Sequence, residues 1–479
     1  MLFNSVSFAV FLPIVFALYW LVPQRRRWAL LLAASYYFYM SWNAKYIVLI
    51  LFTTGVSYLC GRLLEKTADA RRKKQLVALA LCLCFGVLFL FKYFGFFWET
   101  ANAVLRRFAV PMHPLTLRLL LPVGISFYTF QTVGYVLDVY RGDARAERHF
   151  GKYAAFISFF PQLVAGPIER TNALLPQIAD PPAFDYDKAV DGMQRMAWGF
   201  FKKMVVADRL AVFVDRVWGD VFQFRGLSLV LASVLFAVQI YCDFSGYSDI
   251  AVGCAKLLGI DLAENFRRPY LSASIREFWS RWHISLSTWF RDYLYIPLGG
   301  SRVKKSRHCF NLLVTFLVSG LWHGANWTFV LWGGVHGLLQ ILENVLHLAP
   351  KKTPHGLRRA VRVVAVFALV TAAWVFFRAD SLGGALHVFR HALDGIAAPY
   401  SYVYNGFLDI GMSPGELCAT LLVCLLPLAL FEIVSEKVDI PTRLRQCKAP
   451  VRHACYALLV LFVLLFHATG EVSFVYFQF

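Results

Sequence analysis

With 479 residues, 58% of them hydrophobic and only 16% charged, and a mean hydropathy of +0.55, the chain lies well beyond the roughly 45–50% apolar share of soluble domains. This composition excludes a water-soluble globular enzyme and points to a polytopic membrane protein. A net charge of +19 does not imply nucleic acid, because the cations stand in short clusters between apolar runs and form no continuous basic face with interleaved aromatics.

Crossing a hydrocarbon core of roughly 30 Å takes about 20 apolar residues, and about ten or eleven such runs can be marked, predicting an all-α bundle with re-entrant and interfacial helices besides. The first run, "MLFNSVSFAVFLPIVFALYW", has no basic leader and no small-residue cleavage site, so a retained span is expected. Basic clusters on cytoplasmic loops place the N-terminus outside, Arg25 to Arg27 inside, the link from Asn43 to Lys45 outside and the loop from Glu65 to Lys74 inside. After Gly142 the apolar runs shorten and the alternation is no longer readable. The expected organisation is one integral membrane domain over 1–479, with scaffold helices in 1–100, a catalytic core in 119–345 and closing helices in 360–479.

From Leu119 the runs are interrupted by Pro, Gly, Gln and Ser, as in "LLLPVGISFYTFQTVGYVLDVYRG". Irregular backbone at membrane depth is tolerated only where it is buried in protein or lines a cavity. Asp138 and Arg141 read as an ion pair at a helix end. The stretch from Asp185 to Phe222 mixes apolar and basic residues at helical spacing, which predicts an amphipathic helix along the surface or one packed on the protein's own cytoplasmic side. In "DFSGYSD", Asp243 and Asp249 are six residues apart and fall on different helical faces, which argues against a shared carboxylate pair. Ten scattered cysteines form no CxxC pair, so neither a disulfide framework nor a zinc site is expected.

The polar residues of interest follow. "RWHISLSTWFRDY" sets His283, Ser287 and Arg291 at successive i+4 positions, with Trp282, Trp289 and Phe290 as apolar bulk. Such a stripe lines a cavity, since charge near the bilayer centre costs at least about 2.5–3.5 kcal/mol per group, or belongs to an interfacial helix whose Arg281, Arg291 and Asp292 meet headgroups. "YIPLGGSR" then breaks the helix. Its glycine amides with Ser301, Arg302, Lys304 and Lys305 suit a phosphorylated donor, and the charges are equally those of a plain cytoplasmic loop. The stretch Cys309 to Leu342 contains no Asp, Glu, Lys or Arg, yet within it "GLWHGANWTFVLWGGVHG" holds His323 between Gly320 and Gly324, and His336 between Gly333 and Gly337. That glycine spacing lets a second helix backbone approach closely. If the segment is one helix, Asn326 and Trp327 share the face of His323, as orienting partner and aromatic wall. Further on, His387, His391 and Asp394 share a helical face at a spacing open to a metal, although no HExxH accompanies them.

No G-x-S-x-G elbow, Walker loop or dinucleotide fingerprint is present, which argues against serine hydrolases, ATPases and nicotinamide enzymes. Histidine chemistry in a membrane cavity remains: a neutral imidazole, of unperturbed pKa about 6.5, can take a proton from a hydroxyl. A transporter for polysaccharide or lipid-linked sugar is the competing class, though no inverted repeat is visible, and an intramembrane metalloenzyme built on His387 and His391 is a third.

"FWSRWHISLSTWFRDYLYIPLGG" and "GLWHGANWTFVLWGGVHG", with "GPIER", "DFSGYSDIAVG", "ENFRRPY" and "FFRADS" in the same order, resemble the membrane-bound O-acyltransferase (MBOAT) family, in its bacterial branch of alginate-type O-acetyltransferase membrane subunits. The likeness covers nearly the whole chain, and the subunits that transfer D-alanine to teichoic acid are more distant. The resemblance implies a funnel-shaped bundle with a central tunnel, an acyl thioester entering from the cytoplasm and an acceptor hydroxyl reached from outside. It makes His323 the catalytic histidine and His283 the tunnel histidine, and leaves His336 unassigned. Together these readings give His323 as general base, His283, Asn326 and Arg291 positioning or polarising the thioester, and Trp282, Ser287, Asp292 and Trp327 along the donor tunnel. No bound cofactor or metal is expected. Acetyl-CoA or an acyl-carrier thioester is the co-substrate, and the partners are membrane lipid, a periplasmic acyltransferase and polysaccharide-synthesis machinery. The expected location is the bacterial cytoplasmic (inner) membrane.

Overall fold

The computed structural model describes residues 1–108, 120–350, 354–468 and 474–475. Among these every regular element is helical and there is no strand, as expected where each backbone N–H and C=O must find its partner within its own segment. Six helical stretches are long and apolar enough to cross a membrane: Gln24–Lys66, Ala70–Arg106, Leu227–Leu257, Gly356–Arg378, Pro414–Ser435 and Ala449–Phe466. Among the described residues these six are fewer than the ten or eleven apolar runs, in part because some runs fold into shorter helices. Val6–Leu21 (α1) has 16 residues, fewer than the roughly 20 that span hydrocarbon. Gln24–Lys66 also contains two helices, Arg27–Asn43 (α2) and Ile47–Lys66 (α3), parted where Asn43 takes an extended backbone of φ −161°, ψ 109°.

The chain folds into two compact units, Met1–Gly192 with Ala251–Ala263, and Met193–Ile250 with Glu264–Phe479. In the first, Ala70–Leu88 (α4) turns Leu79 and Leu83 outward, the exposure a helix in contact with lipid requires and a soluble helix avoids. Its interior is held by polar contacts between Ile125–Arg141 (α5), Phe150–Ser158 (α6) and α3. Tyr153 donates to Ser57 Oγ at 2.7 Å, and the Gln131 amide donates to the Phe156 carbonyl at 2.9 Å. Gly61 of α3 lets Tyr135 of α5 lie against its backbone, since a Cβ there would come within 2.6 Å of the Tyr135 hydroxyl. Asp138 accepts from the Thr171 hydroxyl at 2.9 Å.

In the second unit, helix Tyr186–Phe200 (α7), which enters it at Met193, runs into a π-turn, Phe201–Ala207. Of the two expectations for this segment, packing on the protein holds at its middle, where Lys202, Lys203 and Asp208 are all buried, while Tyr186, Met193 and Val212 stay exposed. A π-turn widens the helix by one residue per turn, so two consecutive lysines both meet carboxylates of Leu227–Leu257 (α8). Lys202 pairs with Asp249 at 2.5 Å, and Lys203 with Asp243 and Asp208 at 2.7 Å each. Buried charges persist only when paired in this way. Asp243 and Asp249 serve different lysines, in keeping with their separate helical faces.

Candidate active site

Two short helices and two longer ones build the site. Ile275–Arg281 (α9) is followed by Trp282 and His283, then by Ile284–Phe290 (α10). Lys305–His323 (α11) and Trp327–Val345 (α12) form a tight pair. Glycine explains their approach. A Cβ on Gly320 would overlap the Phe329 carbonyl oxygen, and one on Gly333 would overlap the Phe316 carbonyl and stand 3.2 Å from Gly320 Cα. The spacing around both histidines therefore does what close helix packing demands.

His323 is the last residue of α11, and the chain then extends through Gly324 (φ −159°, ψ 149°) before α12 begins. The single helix on which Asn326 and Trp327 would share its face does not form. Asn326 instead caps α12, its Oδ1 accepting from Thr328 N–H at 3.1 Å while its amide donates to the Asp380 carbonyl at 3.1 Å. A capping asparagine of this kind satisfies a first-turn amide, so the bonds seen at Asn326 serve the start of α12 and the Asp380 backbone. Trp327 opens α12 with half of its surface exposed.

His283 takes a left-handed backbone, φ 42°, ψ 54°, a conformation in which a non-glycine residue stores strain and which surrounding bonds must hold. Asn265 of the "ENFRRPY" stretch supplies them. Its carbonyl accepts from Ile284 N–H at 2.9 Å and its buried Oδ1 from the Ser285 hydroxyl at 2.6 Å. Asn265 was not singled out from the sequence, and its place in a quoted motif was the available signal. Because α10 starts only after His283, the stripe of His283, Ser287 and Arg291 is not one α-helical face. Ser287 donates to the Trp282 carbonyl at 3.3 Å, and Arg291, 59% exposed in its side chain, pairs with Asp292 at 2.7 Å at the start of another π-turn, Arg291–Tyr295.

The structure does bring the two histidines together. Their ring centroids are 6.3 Å apart, with His283 fully buried and His323 4% exposed. Trp322 and Trp332 each stand edge-on to His323 at 5.0 Å and Phe377 at 5.4 Å, while Phe244 meets His283 at 4.7 Å. Trp282 is fully buried behind them, 5.0 Å from Trp374. His336 is also fully buried, and its Nδ1 accepts from Trp279 Nε1 at 3.3 Å. The other histidine pair is different: His387 Nε2 donates to the Phe224 carbonyl at 3.0 Å, and His391 Nδ1 meets Asp394 at 2.7 Å. Among the described residues no three His, Cys, Asp or Glu side chains are grouped to hold a metal.

The family model of membrane-bound O-acyltransferases matches residues 145–379, which include His283 and His323. A probable alginate O-acetylase of Pseudomonas putida is 37% identical over the whole of both chains. The chain belongs to the membrane-bound O-acyltransferase family. It is thus a multi-pass membrane enzyme that transfers acyl groups to oxygen. A probable alginate O-acetylase of Azotobacter vinelandii is 42% identical across 81% of this acyltransferase and 77% of the relative. A peptidoglycan O-acetyltransferase of Helicobacter pylori is 34% identical across 81% and 79%.

Proposed function

We propose that this acyltransferase O-acetylates an extracytoplasmic polysaccharide of the alginate kind from the bacterial inner membrane, with His323 as general base. The observation that carries the reading is the buried pair of imidazoles, 6.3 Å apart in an aromatic box, inside the segment matched to the family. The alginate and peptidoglycan acetylases among the relatives support the acceptor class. A ring nitrogen of His323 takes the proton of the acceptor hydroxyl as its oxygen attacks the thioester carbonyl. The C–S bond then breaks, and the thiolate leaves with that proton, giving an ester and a free thiol. His283 holds the thioester carbonyl during attack. The donor is acetyl-CoA or an acyl-carrier thioester on the cytoplasmic side, and the immediate acceptor is the polymer or a hydroxyl of a periplasmic acyltransferase that passes the acetyl group on.

Replacing the chromosomal gene with His323→Ala and measuring O-acetyl content of the exported polymer tests this. General-base help is worth about 10² to 10⁴ in rate, so acetylation is expected to fall to background while the protein still accumulates in the membrane. Unchanged acetylation at unchanged protein level would remove His323 from the mechanism.

A further inference from the structure

Helix α9 delivers Trp282 and His283 to the site, yet has only seven residues, fewer than a helix needs to hold itself. Its first-turn amides are all taken by side chains. Ile275 N–H donates to Glu343 Oε1 at 3.0 Å, Arg276 N–H to Glu343 Oε2 at 2.9 Å, and Glu277 N–H to Ser274 Oγ at 3.0 Å. Glu343 belongs to α12 and is 9% exposed. One turn further along α9, Trp279 Nε1 donates to His336 Nδ1, also of α12. Residues 336 and 343 are seven apart, about two turns, and so lie on one face of α12. Trp332, four before His336 on the same face, stands edge-on to both His336 and His323 at 5.0 Å.

We propose that Glu343 and His336 are positioning residues that set the distance between His283 and His323, by clamping α9 at two points along one face of α12. The proposal rests on reading the two histidines as the reacting pair. A carboxylate suits the first point because both oxygens accept, which fixes the rotation of α9 as well as its place, and because its charge meets the positive end of the helix. The second point needs an acceptor at Nδ1, which keeps the proton of neutral His336 on Nε2.

The test is the rate of polymer O-acetylation per amount of membrane-inserted protein in cells carrying each variant. A displacement of about 1 Å far from the chemistry can cost about a hundredfold, so Glu343→Leu is expected to lose about that much. Glu343→Gln keeps one acceptor oxygen and should lose only about tenfold, a partial rescue that a mere packing role would not produce. His336→Phe and Trp279→Phe should each reduce the rate, and the double variant should be no slower than the worse single one, since both remove one shared bond. A wild-type rate in Glu343→Gln, equal losses in Gln and Leu, or multiplying losses in the Trp279 and His336 pair would each overturn the proposal. If Glu343→Leu does not accumulate, the Gln variant decides alone. His323→Ala run in parallel separates the two ideas: activity there sinks the reading of the base, whereas its loss beside unaffected Glu343 variants sinks the clamp only.

Discussion

His323 ends α11 and His336 lies in α12, whereas the helix Leu382–His391 (α14; Gly356–Arg378 is α13) presents His387 and His391 at i and i+4, and the fold treats the two regions differently. At α14 the two rings lie 4.4 Å apart at the edge of the unit, one donating to a backbone carbonyl and the other meeting a carboxylate three residues away. At the α11–α12 pair glycines let the two helix backbones touch, and the His323 ring is flanked by Trp322, Trp332 and, from α13, Phe377. Spacing is therefore a poor guide to how the fold uses a histidine. What separates the two regions is the bulk around the rings and the backbone that lets it close.

The largest effect expected from this contrast is in activity. His283→Ala should lower polymer acetylation by about a hundredfold or more, the loss expected when a donor to the reacting carbonyl is removed, whereas His387→Ala should leave it unchanged. An equal loss in both, at equal protein level, would erase the distinction. Next in size is packing. Gly320→Val places side-chain atoms against the Phe329 carbonyl and should destabilise by about 1–3 kcal/mol or more, read as a lower melting temperature in detergent and poor accumulation. Asn326→Ala removes the cap of α12 and should cost about 1 kcal/mol, a few degrees of melting temperature, with acetylation per folded molecule kept if Asn326 has no contact with substrate. Smallest is His391→Ala. Its pair with Asp394 is partly exposed, at 30% and 41%, and such pairs contribute about 0–1 kcal/mol, so the melting curve should barely move.

Much of this was legible in the residues, and the failures have definite causes. The glycine spacing around His323 and His336 predicts a close helix pair, because close approach depends only on the absence of a side chain. The separate duties of Asp243 and Asp249 follow from helical angle alone. Asn326 was misplaced since helical spacing was carried across Gly324, where the chain extends and a new helix begins. Lys202 and Lys203 looked like a surface face because nothing local marks a π-turn or the carboxylates waiting on another helix. Glu343 passed unnoticed as one acid at the end of an apolar run, its partners being backbone amides about seventy residues earlier, and backbone amides leave no trace in residue types.

By itself the sequence determined that this chain lives in a membrane as a helical bundle, that glycine lets two of its helices touch, and which imidazoles sit among aromatic residues. Those features rest on transfer free energies and steric bulk, which each residue carries wherever it stands. Only the tertiary structure decided that His283 and His323 meet, that a seven-residue helix is held by Glu343 and His336, and that Arg291 turns outward to Asp292. Hydrogen bonds and ring contacts between distant segments depend on how backbones are oriented in space, and that orientation is settled by the packing of the whole unit.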